Sequence, residues 1–232
     1  DGYTILIGTN STNAALKSLM KKLPYDQDTA FAPVAYMGSV PLIVAVNNDV
    51  PAKNLKEFVD LAKSKPTQIT FASASTSQLV SSEVLASMAG IKMTNVPYKS
   101  GPAAMTDLIG GQVNMFSADF AVMLPQVKGG KLQALAVTAD RIPVLPNVPT
   151  MKEQGIKAEN FQMWRGVAVP RQVPDAAAAY WTEVMKRVVA TETWKKYLRD
   201  NVASSATIVG TDFTNFLAAQ EKLYRELLGR PS

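Results

Sequence analysis

The sequence predicts an α/β protein whose sheets are mostly parallel. Short apolar runs alternate with helix-period segments almost without exception from end to end. The joints between them are filled by Gly, Pro, Ser, Thr and Asn, which break regular structure for separate steric and hydrogen-bonding reasons. No internal repeat or low-complexity tract interrupts this rhythm.

Asp1-Gly2 is a turn pair, and Tyr3-Thr4-Ile5-Leu6-Ile7 behind it reads as an apolar strand. Gly8 to Thr12 is a small polar loop, and a helix follows over about Asn13 to Lys22. Phe31 to Met37 is a short apolar segment. Pro41 to Val46 is a buried-type strand that Asn47-Asn48-Asp49-Val50-Pro51 ends. From Asn54 to Ser64, Leu55, Phe58, Val59, Leu61 and Ala62 share one helical face. Gln68 to Ala72 is a strand, Ser73 to Ser77 a hydroxyl-rich loop, and the helix beyond it carries Leu79, Val84, Leu85 and Met88 before Gly90 closes it. Asn95 to Tyr98 is extended. Ser100-Gly101-Pro102 opens a helix over Ala103 to Ile109, with Pro in its first turn. Gly110-Gly111 turns the chain into a strand at Val113 to Phe116, then a helix at Phe120 to Lys128 and a strand at Leu132 to Thr138. Thr150-Met151-Lys152-Glu153 is a capping box that predicts a helix start. Phe161 to Val169 is an apolar strand. Three helical segments complete the chain, at Asp175 to Ala190, Glu192 to Asp200 and Asp212 to Leu228.

Composition narrows the chemistry. The 232 residues are 47% apolar and 19% charged, an ordinary globular balance. With no cysteine there is no disulfide framework and no thiolate zinc site. With no histidine the usual general base and the commonest metal ligand are also missing, so no catalytic residue, metal or cofactor is expected. The net charge of +5 and pI near 9.3 suit an anionic partner. The basic residues fall in scattered pairs such as Lys21-Lys22 and Lys195-Lys196 rather than in a patch interleaved with aromatics, so nucleic-acid binding is not expected. No stretch reaches the roughly 18 apolar residues of a membrane span. Neither a Walker phosphate loop nor a dinucleotide-binding glycine motif is present, and no acidic pair falls in the strand-end loops.

Open α/β sheets bind ligands beyond the carboxyl ends of their strands, where helices begin. Those loops here are Gly8 to Thr12, Ser73 to Ser77, Tyr98 to Gly101 and Ser117 to Asp119. The sharpest is Ser73-Ala74-Ser75-Thr76-Ser77, where N–H groups, hydroxyls and a helix dipole can converge on one carboxylate. The same residues also suit an ordinary Ser/Thr helix cap, and both readings stand. The candidate ligand-binding residues are Thr9, Asn10, Ser11, Ser73, Ser75, Thr76, Ser77, Tyr98 and Asp119. Asp119 is either a site acceptor or the cap of the helix that follows it.

Several segments carry a resemblance in their order along the chain. They are Asp-Gly-Tyr-Thr at 1–4, Leu23-Pro24-Tyr25-Asp26, Phe31-Ala32-Pro33-Val34, Val96-Pro97-Tyr98-Lys99, Asp107 to Val113, Gly130 to Thr138, and Pro146-Asn147-Val148-Pro149-Thr150. Together they resemble the Bug family, the extracytoplasmic solute-binding proteins of tripartite tricarboxylate transporters. The resemblance implies a type II periplasmic-binding-protein fold with two α/β lobes joined by crossing hinge strands, placed on Pro41 to Val46 and Phe161 to Val169. Lobe one is then 1–42 plus 164–232, and lobe two is 43–163. It further implies a periplasmic receptor that captures a small organic acid for membrane transporter subunits, monomeric as the full-length protein. An α/β enzyme or ligand-sensing domain on the same fold is the alternative. The family's usual N-terminal strand-helix-strand does not precede Asp1, so lobe one is expected to be incomplete and Thr4 to Ile7 to form an open edge. Ser75 stands near a family glycine, and Leu79 and Asn95 stand where the family has histidines.

Overall fold

The computed structural model describes residues 2–20, 22–27, 29–138, 140–156, 163–204 and 208–228. The chain divides into two compact units, Asp1–Val40 with Gln162–Ser232, and Pro41–Phe161. In chain order the elements are β1 (Leu6–Thr9), a π-helical turn (Ser11–Ala15) continued by α1 (Leu16–Leu19), β2 (Phe31–Val40), β3 (Leu42–Asn47), α2 (Leu55–Ser64), β4 (Thr70–Ser73), α3 (Thr76–Ala89), β5 (Thr94–Pro97), α4 (Gly101–Ile109), β6 (Met115–Asp119), α5 (Phe120–Lys128), β7 (Leu132–Val137), a 3₁₀ turn (Lys152–Gln154), β8 (Met163–Pro170), α6 (Asp175–Ala190), α7 (Glu192–Asp200), β9 (Ile208–Val209) and α8 (Gly210–Leu228).

The expectation of mostly parallel sheets needs correction. The first unit holds a sheet ordered β1-β8-β2-β9 in which all three pairings are antiparallel. The second holds β5-β4-β6-β3-β7, where β4 pairs in parallel with β5 and β6 while β3 pairs antiparallel with β6 and β7. The helix-linked strands do run the same way. β1 and β2 are both antiparallel to β8 and therefore parallel to each other, and β4 to β7 share one direction. One reversed strand inserts into each set, β8 into the first and β3 into the second. Alternation reveals the direction of helix-linked strands, but not the later insertion of a strand between them.

In the first unit, α6 covers one face of the sheet through Val34, Val167, Val169 and Met185, with Trp181 and Val188 beside them. The other face meets α8, where Tyr36 and Trp164 pack edge-on against Phe213 and Phe216. Gly166 lies under this aromatic cluster. A Cβ there would sit 2.7 Å from Phe213 Cζ, so the position has room only for glycine. In the second unit, α2 buries Leu55, Phe58, Val59 and Ala62 of the apolar face read from the sequence, while Leu61 is only half-buried. Asn54 caps α2 by accepting the Glu57 N–H at 2.9 Å. Gly90, in the left-handed region at φ 62°, closes α3.

Several boundaries differ from expectation. The helix expected to Lys22 ends at Leu19 and begins as a π-turn, and Lys21 lies outside the described residues. β2 runs on to Val40, and Pro41 alone separates it from β3 in the other sheet. The strand expected from Phe161 is described from Met163, so the chain's return between the units falls outside the described residues. The capping box forms, with the Thr150 N–H donating to Glu153 Oε2 at 2.8 Å and the Glu153 N–H to Thr150 Oγ1 at 3.1 Å. Its helix is a single turn, because Gly155 at φ 84° ends it at once.

Candidate functional site

β4, β5, β6 and β7 run in one direction, so their carboxyl ends share an edge of the second unit's sheet. The register fixes the order along it: Ser73 opposite Pro97, Ala72 opposite Phe116, Leu42 opposite Asp119 and Ile43 opposite Val137. α3, α4 and α5 all begin at this edge, directly after β4, β5 and β6. Three helix N-termini on one sheet edge make it a place for negative charge. Ser73, Ser75, Thr76, Ser77, Tyr98 and Asp119 are thereby brought together.

Each has a distinct local role. Ser73 is buried, and its Oγ donates to Asn95 Oδ1 at 2.7 Å while its carbonyl accepts the Tyr98 N–H at 2.8 Å. It ties β4 to the β5 loop. Ser75 is the cap of α3, accepting the Gln78 N–H at 3.3 Å, and Gln78 Oε1 in turn accepts the Ala74 N–H at 2.8 Å. The cap reading is therefore right for Ser75, and Gln78 takes up the Ala74 N–H of the loop. The Thr76 N–H takes no partner among the described residues. Thr76 is exposed and Ser77 half-buried, in the first turn of the helix.

Tyr98 does not present its hydroxyl to this edge. It donates to Asp107 Oδ2 of α4 at 2.8 Å. Loss of hydration and the neighbouring carboxylate push its phenol up to about 12. Ser100 caps α4 by accepting the Ala103 N–H at 3.4 Å. Asp119 is half-buried at the last position of β6, and its carboxylate makes no capping bond to α5. Among the described residues it has no hydrogen-bond or ion-pair partner.

Below the edge, two residues that sequence reasoning did not select join α3 to β6. Ser81 and Ser117 are both buried, with their hydroxyl oxygens 2.7 Å apart. Ser81 sits on a helix face that reads as ordinary small-residue packing. Only the fold reveals the pair.

Thr9, Asn10 and Ser11 belong to the first unit. Thr9 ends β1, and its N–H donates to Thr12 Oγ1 at 3.0 Å. Asn10 and Ser11 are buried, whereas the sequence suggested an open polar loop. Asn10 Nδ2 donates to the Tyr224 hydroxyl at 3.2 Å and contacts Met163 Sδ at 3.1 Å. Burial raises the Tyr224 phenol above its ordinary value, and the Asn10 bond offsets part of that rise. Asn10 Oδ1 is buried without a partner among the described residues. No group of three His, Cys, Asp or Glu side chains stands close enough to hold a metal among the described residues.

The model of the tripartite tricarboxylate transporter family receptor matches residues 1–229. The chain belongs to this family. BugT of Bordetella pertussis is 32% identical over 175 residues, which is 74% of this chain and 54% of BugT. The periplasmic binding protein BugD superposes with a TM-score of 0.83 at 27% identity, over 98% of this chain and 77% of that one. A Rhodopseudomonas palustris protein solved with adipate gives a TM-score of 0.84 at 24% identity, over 99% of this chain and 79% of its own. The fold is thus the two-lobed α/β architecture of type II periplasmic-binding proteins, with mixed sheets. The chain spans about half the length of the curated relatives it matches, for example 57% and 54%.

Proposed function

We propose that this chain is the ligand-capturing part of a periplasmic receptor. It binds a small organic acid and delivers it to the membrane subunits of a tripartite tricarboxylate transporter, with no catalysis and no cofactor. The observation that carries this reading is the sheet edge of the second unit, where α3, α4 and α5 begin directly after β4, β5 and β6 and hydroxyls line the first turn of α3. Backbone N–H groups at such an edge hold a carboxylate without a charged side chain. Family membership supports the same reading, and so does the acid found in the adipate-bound protein of this fold.

Thr76 and Ser77 form the carboxylate cradle, Ser75 caps the helix behind it, Ser73 and Tyr98 hold its backbone in place, and Asp119 borders it. In the first unit the matching strand-end position is Thr9, with Asn10 and Ser11 bracing it from within. The two compact units act as the lobes.

The test is a calorimetric titration of carboxylates into the 232-residue chain, repeated for Thr76→Ala with Ser77→Ala. Losing a hydrogen bond to a charged group costs about 1.5–3 kcal/mol, so affinity should fall about ten- to a hundredfold while the circular dichroism spectrum is retained. Failure of every carboxylate to bind would overturn the reading. Unchanged affinity in the double variant would reduce the loop to a helix cap.

A further inference from the structure

The opposite edge of the second unit's sheet has a different character. β4, β5, β6 and β7 begin there and β3 ends there, with Thr70 opposite Thr94, Phe71 opposite Met115 and Asn47 opposite Leu132. Three lysines far apart in sequence meet on it. Lys65 follows α2, and its carbonyl accepts the Gln68 N–H at 3.2 Å just before β4. The Lys92 carbonyl accepts the Thr67 N–H at 3.3 Å, two residues before β5 begins. Lys131 immediately precedes β7, beside Asn48, whose side chain donates to the Gly130 carbonyl at 2.9 Å. All three lysines are exposed, and none has an ion pair among the described residues. A lysine near a helix end offsets the macrodipole, but each helix end carries only about half a charge, so a positive edge remains. Lys65 also lines a cleft of about 240 Å³ in the middle of this edge. Val50, Leu61 and Ile69 form its apolar wall, and Asp49, Gln68 and Asn114 stand on its polar side. The polar side is held in place. Asn47 Oδ1 accepts the Asp49 N–H at 2.8 Å, and Asn114 Oδ1 accepts the Thr70 N–H at 2.8 Å and the Thr70 hydroxyl at 3.0 Å. β5 and β7 are the outer strands of the sheet, four strand spacings or about 19 Å apart. An extended chain of about six residues covers that distance.

We propose that this edge docks an extended acidic segment of a partner protein, with an apolar residue of that segment seated in the cleft. The inference stands apart from the receptor reading, because it uses the opposite edge of the sheet. Acidic side chains toward the two ends of the segment meet Lys92 and Lys131. Asp49 sets the middle of the segment. An acid there meets a carboxylate, whereas an apolar side chain packs on Val50, Leu61 and Ile69. A flat layer of anionic headgroups would meet the lysines without filling the recess, so a protein segment matches more of this edge.

The probe is a blocked hexapeptide, Glu-Glu-Leu-Gln-Glu-Glu, titrated into the isotope-labelled full chain and followed by amide chemical shifts. The expected shifts centre on Lys65, Gln68, Lys92 and Lys131, and binding weakens as salt is raised. Lys65→Gln, Lys92→Gln and Lys131→Gln together should weaken binding about three- to a hundredfold. Lys186→Gln, Lys195→Gln and Lys196→Gln together, equal in net charge, should leave it nearly unchanged. Replacing the peptide's Leu by Glu should weaken binding even though it adds a negative charge. Absence of shifts at millimolar peptide overturns the inference, as do shifts centred on the start of α3. So does an equal loss in the two triple variants, or tighter binding of the peptide with Glu in place of Leu. Binding to phosphatidylglycerol vesicles with none to the peptide would make the edge a lipid-facing surface and also overturn it. If the first triple variant fails to fold, the position of the wild-type shifts and the ranking of the two peptides decide. None of these outcomes bears on the receptor reading, which the carboxylate titration tests separately.

Discussion

Tyr98 shows how a residue can stand at a site without offering its functional group to it. Its backbone N–H completes the β4–β5 connection through Ser73, and its hydroxyl is committed to Asp107 one element away. The phenol is raised from 10.0 to about 12, first by loss of hydration and then by the bond and the charge of Asp107. The sign follows directly. A tyrosine whose folded pKa is raised favours the folded state fully below its ordinary value, and that contribution fades as pH climbs through about 12. In an alkaline titration followed by phenolate absorbance, one tyrosine of the wild type should ionise near 12. Asp107→Asn removes the charge and the strong acceptor, and should move that step toward 10. A titration curve identical in wild type and variant would show that Asp107 does not hold the hydroxyl.

At the level of elements, the Ser73–Ser77 segment carries two jobs that the sequence could not separate. Ser75 and Gln78 close the end of α3 with their side chains, and the exposed Thr76 and half-buried Ser77 follow in the first turn. Capping and ligand binding should therefore be separable by mutation. Ser75→Ala removes the cap acceptor and is expected to lower stability by about 0.5–2 kcal/mol in urea unfolding, while Ser75→Gly costs only a few tenths. An unchanged midpoint for Ser75→Ala would mean that solvent satisfies the Gln78 N–H equally well. The local signals read from sequence held where they depend on near neighbours. The Asn54 start of α2, the Gly90 stop of α3 and the Thr150–Glu153 box all form. A capping box fixes where a helix begins but says nothing of its length, which Gly155 cuts to one turn. β9 was not legible, because Ile208–Val209 is too short to show a period and is a strand only through its pairing with β2. The Ser81–Ser117 pair and the inward turn of Asn10 escaped for the same reason, since each is decided by a partner distant in sequence.

On the scale of the whole molecule, the α/β class was legible because alternation is a property of the chain. The antiparallel pairings were not, because β3 and β8 enter sheets whose other strands lie elsewhere in the sequence. That difference gives the two units unequal independence. The first is assembled from both ends of the chain, and β8 pairs with β1 and β2 from the other end. Its sheet closes only when residues more than a hundred positions apart meet, at a corresponding loop-closure cost. The second is one continuous segment, Pro41–Phe161, which contains all five strands of its sheet together with α2 to α5. Its core is also its own: Phe58, Phe71, Phe116, Leu42, Ile43, Leu55, Leu85 and Leu108 are all buried within that span. A segment of this size with a complete sheet and core lies in the range of single domains that fold alone. Residues 41–161 expressed separately should give a helix-and-sheet circular dichroism spectrum and a single cooperative urea transition. Residues 1–40 or 162–232 expressed alone should give none, since neither holds a sheet. A broad, non-cooperative transition for 41–161 would show that the second unit depends on the first for its stability.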